Sequence, residues 1–517
     1  MTRHHIVALG AALAMCAGIG LSGAGAAQAD PRSDGPQSAV PQGTGGLRWG
    51  SCVLGPDDQV GQELADAGAQ CAEVRVPLDH RRPAGRSIGI AISRIAATDR
   101  AHRIGALLLD DGGPGGPTLG APPRVKAALK EVAGRYDIIG MDPRFVGRSN
   151  PIDCKWPVGS GITGAGNSRA SFDRQVAFQK DLAAKCRKNA GDLLPYASTR
   201  DTARDMDRIR AALGERKLNY LGVSYGTYLG TVYSQLFPDR VGRFVFDGAL
   251  DPTAYGATML PGMIDANEHA LDDWAAWTAA RHTTYSLGRT APEVLGAVRH
   301  AVEAAGRGPL VLGEGADTFR LDDTQVPFIV FGGLVDDSEP SLDSLAVAVG
   351  ALAKAAAGQP TGPLTPDFAA LLRYVFTDAD SASAGAQMAI MCADKAVPRD
   401  PETYWRQVEA SRAAHPVLGP ALSNVTPCAF WDRPREPLTQ VRTDLPALIV
   451  GATGDTRTVY KGAVALHRML PSSRMVTLKD VNSHGLYGFY GNACIDGAVN
   501  AYLGTGRLPA ADISCAK

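Results

Sequence analysis

A serine between two glycines is the first residue of this sequence whose surroundings could support chemistry. Ser224 lies in Gly222-Val-Ser-Tyr-Gly226, between the apolar run Leu218–Val223 and the helical pattern Tyr225–Leu236. A G-x-S-x-G pattern at a strand-to-helix junction predicts a nucleophile elbow, a tight turn that presents a serine hydroxyl to a substrate. Because 59 of the 517 residues are glycine, a chance match is the alternative, and the test is whether the chain supplies partners for the serine.

An orienting acid and a general base follow the serine along the chain. A serine hydroxyl attacks a carbonyl only when a histidine accepts its proton and a carboxylate orients that histidine. Asp455 follows the buried-strand pattern Leu445–Gly451, and His484 lies in a polar loop after Arg474–Leu478. The order serine, acid, histidine predicts Ser224, Asp455 and His484 as a catalytic triad. A plain turn aspartate and an ordinary loop histidine are the alternatives.

The other histidines are expected to be solvated side chains and not catalytic bases, because they lie among charged residues or in surface helical patterns. They are His80, His102, His269, His282, His300, His415 and His467.

A glycine-rich loop, Gly112–Gly116, could stabilise the oxyanion that forms when a carbonyl is attacked. One backbone N–H for this purpose comes from the residue after the nucleophile, Tyr225, and the second from a loop after an earlier strand. Each such donor lowers the barrier by ~3 kcal/mol. A phosphate-binding loop is the rival interpretation, but Gly112–Gly116 is not followed by the Gly-Lys-Ser/Thr sequence of that loop.

Short apolar runs that alternate with helical patterns predict an α/β fold, a mostly parallel sheet flanked by helices, of the α/β-hydrolase type. The first two predicted strands form a hairpin. The predicted strands are Glu73–Asp79, Ile88–Arg94, Gly105–Asp110, Tyr136–Asp142, Leu218–Val223, Phe244–Asp247, Leu445–Gly451 and, as the last, Arg474–Leu478. A helix is expected over Thr202–Leu213, with Thr202 as its N-cap, and a closing helix over Asn492–Leu503.

The chain from 252 to 430 has a different pattern, rich in alanine and poor in strand-like runs. Helices are expected there over Ala266–Arg281, Ala291–Ala305 and Leu342–Ala357. We interpret residues 252–430 as an inserted, mainly helical cap that divides a hydrolase core of residues 47–251 and 431–517.

The N-terminus resembles a secretory signal peptide of residues 1–29, with the apolar run Ile6–Leu21 and a small-residue cleavage site at Ala27–Ala29. A short membrane anchor, or a lipoprotein using Cys16, is the alternative. Residues 30–46 are poor in apolar side chains and are expected to be a disordered lead-in or pro-segment.

Eight cysteines remain after the signal peptide, an even number that fits disulfides in an oxidising compartment. Pairing between sequence neighbours is the simplest arrangement, although eight cysteines allow 105 pairings. The candidates are Cys52, Cys71, Cys154, Cys186, Cys392, Cys428, Cys494 and Cys515. Their spacing does not match a zinc site, and we expect no metal and no cofactor.

The charge balance gives no sign of a nucleic-acid or membrane partner. The formal net charge is −1 and charged residues make up 20% of the chain, whereas binding to polyanions requires a basic surface. We expect a secreted monomer.

The motifs together resemble a known family. The segments Gly112–Gly116, Tyr136–Arg144, Gly222–Gly226 and Phe246–Gly248 resemble the prolyl-aminopeptidase-like branch of the α/β-hydrolases. Those around Asn424–Trp431, Gly454-Asp455, Ser483–Gly485 and Asn492–Cys494 resemble the secreted bacterial tripeptidyl aminopeptidases. The resemblance implies that Ser224, Asp455 and His484 are the triad and that Gly113 and Tyr225 supply the oxyanion donors. It also implies removal of a tripeptide from a free N-terminus through an acyl-enzyme.

The chain departs from this family at three places. Asp110-Asp111 stand where the family usually has Asn-Pro, and Phe145 follows Pro-Arg where glycine is usual. Thr278 and Tyr285 replace a cysteine pair that is common in the cap.

A tripeptidase needs a carboxylate for the substrate ammonium about 10 Å from the serine, the length of three extended residues. Candidates are Glu268, the weak first choice, and Asp336, Asp337 and Glu339, although acidic side chains are usually solvated. The same triad could serve a secreted carboxylesterase or lipase, because fold and elbow do not determine the acyl group. A non-catalytic binding protein on a hydrolase fold is the third possibility.

Overall fold

The computed structural model describes residues 47–517, so the predicted signal peptide and lead-in lie outside the described residues. A nine-stranded sheet forms the centre of the described chain, with the strand order β1-β2-β4-β3-β5-β6-β9-β10-β11. Its strands are β1 (Gln70–Pro77), β2 (Ser87–Ile95), β3 (Gly105–Asp110), β4 (Tyr136–Met141), β5 (Leu218–Val223), β6 (Val241–Asp247), β9 (Ala447–Ala452), β10 (Arg474–Leu478) and β11 (Ile513–Cys515).

Strands β1 and β2 form the predicted antiparallel hairpin, and β2 is also antiparallel to β4. The remaining neighbours in the sheet are parallel. Every residue of β3, β5 and β9 is buried. On β3, Leu108 packs into one hydrophobic cluster while Leu107 and Leu109 pack into another. The sheet is therefore covered on both faces, which explains its continuous apolar runs and confirms the predicted α/β class.

The helices that accompany this sheet are α1 (Gln59–Asp66), α2 (Pro122–Leu129), α3 (Arg169–Ala190), α4 (Thr199–Ala212), α5 (Tyr225–Leu236), α15 (Tyr460–Met469) and α16 (Ala493–Thr505). Helix α4 begins earlier than the sequence predicts. Ser198 is its N-cap and accepts a hydrogen bond from the amide of Asp201 at 3.2 Å, so Thr202 lies inside the helix and the prediction of Thr202 as N-cap is wrong.

A helical insertion, residues 248–446, connects β6 to its sheet neighbour β9. It contains a two-stranded antiparallel sheet of β7 (Leu310–Leu312) and β8 (Phe319–Leu321). Its helices are α6 (Ile264–Ala279), α7 (His282–Tyr285), α8 (Ala291–Arg307), α9 (Val326–Gly333), α10 (Glu339–Ala356), α11 (Pro366–Phe376), α12 (Ser381–Asp394), α13 (Pro401–Ala414) and α14 (Leu418–Leu422).

The eight cysteines of the described chain form disulfides between sequence neighbours: Cys52–Cys71, Cys154–Cys186, Cys392–Cys428 and Cys494–Cys515. The last of these joins α16 to β11, which pairs in parallel with β10. The expectation that Arg474–Leu478 is the final strand is therefore wrong, because β11 follows it. The sequence does not reveal β11, since a three-residue strand is too short to show a pattern. Within residues 47–517, no helix has the length and apolar character needed to cross a bilayer.

Candidate active site

Ser224 forms the turn between β5 and α5. Its backbone has φ 58° and ψ −125°, a conformation that non-glycine residues rarely adopt. The neighbouring glycines leave room for this turn: a Cβ on Gly222 would lie 2.5 Å from the carbonyl oxygen of Gly226, and one on Gly226 would lie 2.4 Å from that of Asp110. The sharp turn and the close packing fit a nucleophile elbow.

Asp455 and His484 are hydrogen-bonded to each other. Asp455 follows β9, and its two carboxylate oxygens lie 2.9 and 2.8 Å from Nδ1 of His484. Both side chains are buried, with Asp455 2% and His484 5% exposed. In the neutral imidazole, an N–H at Nδ1 can donate to this carboxylate, and that tautomer leaves the lone pair on Nε2.

The loop after Asp455 holds its carboxylate in place. The amides of Arg457 and Thr458 donate to Oδ1 at 2.8 and 2.9 Å, and the Thr458 hydroxyl donates to Oδ2 at 2.8 Å. The same hydroxyl lies 3.0 Å from Nδ1 of His484. The carboxylate therefore has a fixed orientation toward the imidazole, and Thr458 contacts both members of the pair.

The loop that carries His484 is fixed by residues of two other segments. The amide of His484 donates to the carbonyl of Val335 at 3.0 Å. Farther along, the amides of Leu486 and Tyr487 donate to one carboxylate oxygen of Asp247 at 2.8 and 2.7 Å. Burial raises the pKa of Asp247 to about 6, against the lowering effect of these two amides. His484 Nε2 is buried and makes no hydrogen bond to any residue of the described chain.

Gly113 and Tyr225, the two expected oxyanion donors, line the same narrow cavity as Ser224. The glycine-rich loop lies directly against the elbow, because a Cβ on Gly112 would come within 2.9 Å of both Ser224 Cβ and the Tyr225 nitrogen. A side chain at Gly112 would push this loop away from the serine. The glycine-rich loop and the elbow therefore meet at one cavity.

The two aspartates that replace Asn-Pro have different environments. Asp110 is fully buried, one of its oxygens accepts from the amide of Gly112 at 3.0 Å, and burial raises its pKa well above the usual range. Burial therefore favours the uncharged form of Asp110, which resembles the asparagine that is usual in the family. Asp111 instead pairs with Arg124, whose Nη2 lies 2.6 and 2.7 Å from the two carboxylate oxygens.

The cavity at Ser224 has a volume of about 30 Å³, room for about two water molecules. Apart from the elbow and the loop Gly113-Pro114, apolar and uncharged side chains make up most of its wall. Those contributed by the helical insertion are Leu250, Tyr255, Met259, Leu260, Met263, Gln387 and Met391. The insertion therefore covers the serine.

The candidate acids for the substrate ammonium are divided between two places. Asp336, Asp337 and Glu339 line a second, larger cavity of about 460 Å³, which Asn482 of the His484 loop also lines. Glu268 lines neither cavity and instead lies 3.9 Å from His415. Burial raises its pKa.

One of the other histidines differs from expectation. His80 is not solvated: its side chain is only 8% exposed, and Nε2 lies 2.8 Å from Asp205, which also pairs with the fully buried Arg144. The sequence offered no signal for this pairing, because the three residues lie far apart in the chain.

The structure also brings functional candidates to the site that sequence reasoning missed. Thr458 and Arg457 follow Asp455 closely, so their place beside the acid could have been considered. Asp247 belongs to the motif Phe246–Gly248, but that motif does not indicate a role for its carboxylate. Among residues 47–517, no group of three or more histidines, cysteines and acids is placed to hold a metal ion.

Comparison with known proteins supports this description. Residues 105–291 match the model of the alpha/beta hydrolase fold, and residues 415–515 match the model described as TAP-like protein. A tripeptidyl aminopeptidase from Streptomyces lividans is 37% identical over 86% of this chain and 83% of its own length.

Two further relatives are more distant. The serine protease Hip1 of Mycobacterium tuberculosis is 29% identical over 87% of both chains. Carboxylesterase B of the same organism is 28% identical over 87% of this chain and 86% of its own. The chain belongs to the tripeptidyl aminopeptidase-like family of serine hydrolases with the α/β-hydrolase fold.

Proposed function

We propose that the protein is a secreted serine exopeptidase that releases tripeptides, or similarly short peptides, from the free N-terminus of its substrates. The observation that carries this proposal is the buried Asp455–His484 pair, whose loop is tied by Asp247 to the strained turn at Ser224. The tripeptidyl aminopeptidase from Streptomyces lividans supports the choice of substrate.

In the proposed mechanism, His484 Nε2 accepts the proton of Ser224 as Oγ attacks the substrate carbonyl. The negative charge on the carbonyl oxygen is stabilised by the amides of Gly113 and Tyr225. The imidazolium, stabilised by Asp455, then returns the proton to the departing amine as the C–N bond breaks. Water attacks the resulting acyl-enzyme by the same route and releases the short peptide and the free serine.

The proton acceptor is available for this role. His484 Nε2 makes no hydrogen bond to the described chain, and Nδ1 is engaged by the carboxylate. Catalytic hydrogen bonds are often long before substrate binds and shorten in the complex. Only the neutral imidazole can accept the serine proton.

The helical insertion supports cleavage near a chain end. It covers Ser224 and leaves a small cavity walled by its own side chains. A substrate that is cleaved in the middle of its chain extends away from the serine in both directions and needs an open cleft. The end of a peptide can instead enter a covered one. The substrate ammonium would then pair with an acid on the insertion.

Product analysis tests this function. The folded protein is incubated with a tripeptide anilide and with longer peptides, each with a free and with an acetylated N-terminus. We expect release of anilide and of tripeptides from the free forms only, and no turnover by Ser224→Ala. Cleavage within acetylated peptides would show an endopeptidase instead. Turnover by Ser224→Ala would exclude Ser224 as the nucleophile.

Substitution of the acids identifies the ammonium partner. Glu268→Gln, Asp336→Asn, Asp337→Asn and Glu339→Gln are compared with the parent on the free tripeptide anilide. The partner is the residue whose neutralisation raises KM for this substrate and leaves the hydrolysis of an uncharged ester unchanged. If no single variant behaves in this way, the candidate acids are excluded as the individual ammonium partner.

A carboxylesterase is the second candidate, favoured by the relative named carboxylesterase B. Turnover of a p-nitrophenyl ester without turnover of any peptide anilide would select it. The third possibility, a binding protein, predicts that a fluorophosphonate fails to label Ser224 in the folded chain.

Secretion is part of the proposal and is supported by the four disulfides of the described chain, which are typical of oxidising compartments. N-terminal sequencing of protein from the culture medium of the native host should give a start at Asp30, after the predicted cleavage site. Retention of the uncleaved chain in the cell would contradict secretion. Light scattering of the purified protein tests the expected monomer.

A further inference from the structure

Helix α12 of the insertion contacts the glycine-rich loop beside Ser224. A Cβ on Gly115 would lie 2.8 Å from the amide nitrogen of Gln387 and 3.0 Å from the carbonyl oxygen of Ser383. Gln387 and Met391 of the same helix line the cavity at the serine. One face of α12 therefore supports the side of the site that supplies Gly113.

The last residue of α12 reaches the other oxyanion donor through hydrogen bonds. The carboxylate of Asp394 accepts from the amide of Thr199 at 2.7 Å and from its hydroxyl at 2.5 Å. The Thr199 hydroxyl oxygen lies 2.7 Å from the hydroxyl of Tyr225. The Tyr225 hydroxyl is therefore joined to Asp394 through the hydroxyl of Thr199.

These contacts fix the side chain of Tyr225 at both ends. Tyr225 is the first residue of helix α5, directly after Ser224. Its ring centroid lies 5.8 Å from the ring centroid of Tyr255 and 6.4 Å from that of Tyr228. Asp394, Thr199 and Tyr225 are all buried. A side chain held in this way leaves little freedom for its own backbone N–H, which is the proposed oxyanion donor.

We propose that Thr199 and Asp394 are positioning residues that orient the Tyr225 amide, so that α12 of the insertion supports both oxyanion donors. This inference rests on the proposed function, because it concerns the same serine and the same oxyanion. An oxyanion donor acts mainly in the transition state, so a small displacement lowers kcat more than it changes KM.

A hydroxyl deletion with a conservative rescue tests the inference. Thr199→Val removes the hydroxyl and keeps the branched shape, whereas Thr199→Ser keeps the hydroxyl. Tyr228→Phe is the matched control, because it removes a hydroxyl from the same aromatic group but not from the path between Asp394 and Tyr225. Each variant is first checked for wild-type circular dichroism and thermal midpoint.

We expect Thr199→Val to lower kcat about tenfold with KM unchanged. The displaced Tyr225 amide should lose about the value of one hydrogen bond to the oxyanion in the transition state. Binding of a tripeptidyl boronic acid, which mimics the tetrahedral intermediate, should weaken by the same factor. Thr199→Ser and Tyr228→Phe should retain kcat within about threefold. Wild-type kcat in Thr199→Val, or equal losses in Thr199→Val and Thr199→Ser, would overturn the inference. If Thr199→Val does not fold, Tyr225→Phe, which removes the other hydroxyl of the Thr199–Tyr225 hydrogen bond, is measured in its place against the same expectations, with Tyr228→Phe as its control.

The wild-type result separates this inference from the proposed function. If the wild type hydrolyses esters and not tripeptide anilides, the exopeptidase proposal fails, and the same kcat comparison on the ester still tests Thr199. If the folded wild type hydrolyses neither, the catalytic proposal fails and this inference fails with it.

Discussion

The amide of Ser224 donates to the carbonyl oxygen of Asp247 at 2.9 Å, and the carboxylate of the same Asp247 holds the loop that carries His484. The carboxylate does so by accepting from the amides of Leu486 and Tyr487. One residue at the end of β6 thus links the candidate nucleophile to the candidate base. It therefore connects two segments that are far apart in the chain.

Asp247→Ala should therefore impair both stability and turnover. It leaves the amides of Leu486 and Tyr487 buried without their acceptor, which costs on the order of 3 kcal/mol, and it frees the His484 loop, so kcat should fall at least about tenfold. Asp247→Asn keeps an oxygen for the two amides and should lose less on both measures. Urea unfolding and kcat on one substrate provide the comparison. A fully active Asp247→Ala would show that the loop is held by other contacts.

Two carboxyls, the half-buried Asp380 and the buried Asp394, should make the fold less stable as pH rises above about 4. Burial raises the pKa of Asp380 to about 6 and that of Asp394 to about 7. Because the folded state favours the protonated form, their stabilising contribution is complete below about pH 4 and is lost as pH rises through 6 and 7. Glu436 acts in the opposite direction, since hydrogen bonds from Arg204 lower its pKa to about 2, but its contribution changes only in acid.

Asp380→Asn is the variant that measures this effect away from Ser224. It imitates the neutral carboxyl at every pH, so its free energy of unfolding should fall less between pH 5 and 8 than that of the parent. The contribution of Asp380 is on the order of 3 kcal/mol over the full range. Urea titrations at pH 5, 6, 7 and 8 give the slope for both proteins. Parallel slopes would mean that Asp380 is ionised throughout.

The core strands could be predicted from the sequence because their signal is local. Strands β3, β5 and β10 begin and end where the apolar runs do. The order of Ser224, Asp455 and His484 could also be predicted, since each of these residues follows a predicted strand. The placement of His484 relative to Ser224 could not be predicted, because the contacts that hold the two loops, at Asp247 and Val335, join segments that lie far apart in the chain.

Other features depend on partners that are distant in the chain. The pair β7 and β8 has three residues in each strand, too few for a recognisable alternation. His80 is buried because the chain folds Asp205 and Arg144 onto it. The contact of Asp394 with Thr199 joins residues 195 positions apart. Such pairings are set by tertiary packing and leave no periodic trace in the sequence.

Phe145 combines a strained backbone with a buried ring. Its φ is 70° and its side chain is 1% exposed, at the position where the family usually has glycine. Removing the ring costs about 3 kcal/mol or more, but glycine also relieves the left-handed strain of about 1 kcal/mol, whereas alanine does not. We therefore expect Phe145→Gly to be more stable than Phe145→Ala, by urea unfolding.

Phe172 is the control for this comparison, because its ring is also buried but its backbone is helical, at the start of helix α3, where its amide donates to the carbonyl of Ser168 at 3.0 Å. There the order should reverse, with Phe172→Gly less stable than Phe172→Ala by about 1 kcal/mol. If alanine is the better substitute at both positions, the backbone at Phe145 carries no measurable strain.

Thr278 stands where the family has a cysteine, and its replacement by valine should make the fold more stable. It is fully buried in α6, and its hydroxyl has no hydrogen-bond partner among residues 47–517. Valine has the same shape without the unpaired hydroxyl, so Thr278→Val should raise the free energy of unfolding by about 1 kcal/mol. Thr231 of α5 is equally buried but donates to the carbonyl of Thr227 at 2.7 Å, so Thr231→Val should lower stability. A loss of stability in both variants would show that the Thr278 hydroxyl is hydrogen-bonded in solution, because removing a hydroxyl lowers stability only when that hydroxyl is hydrogen-bonded.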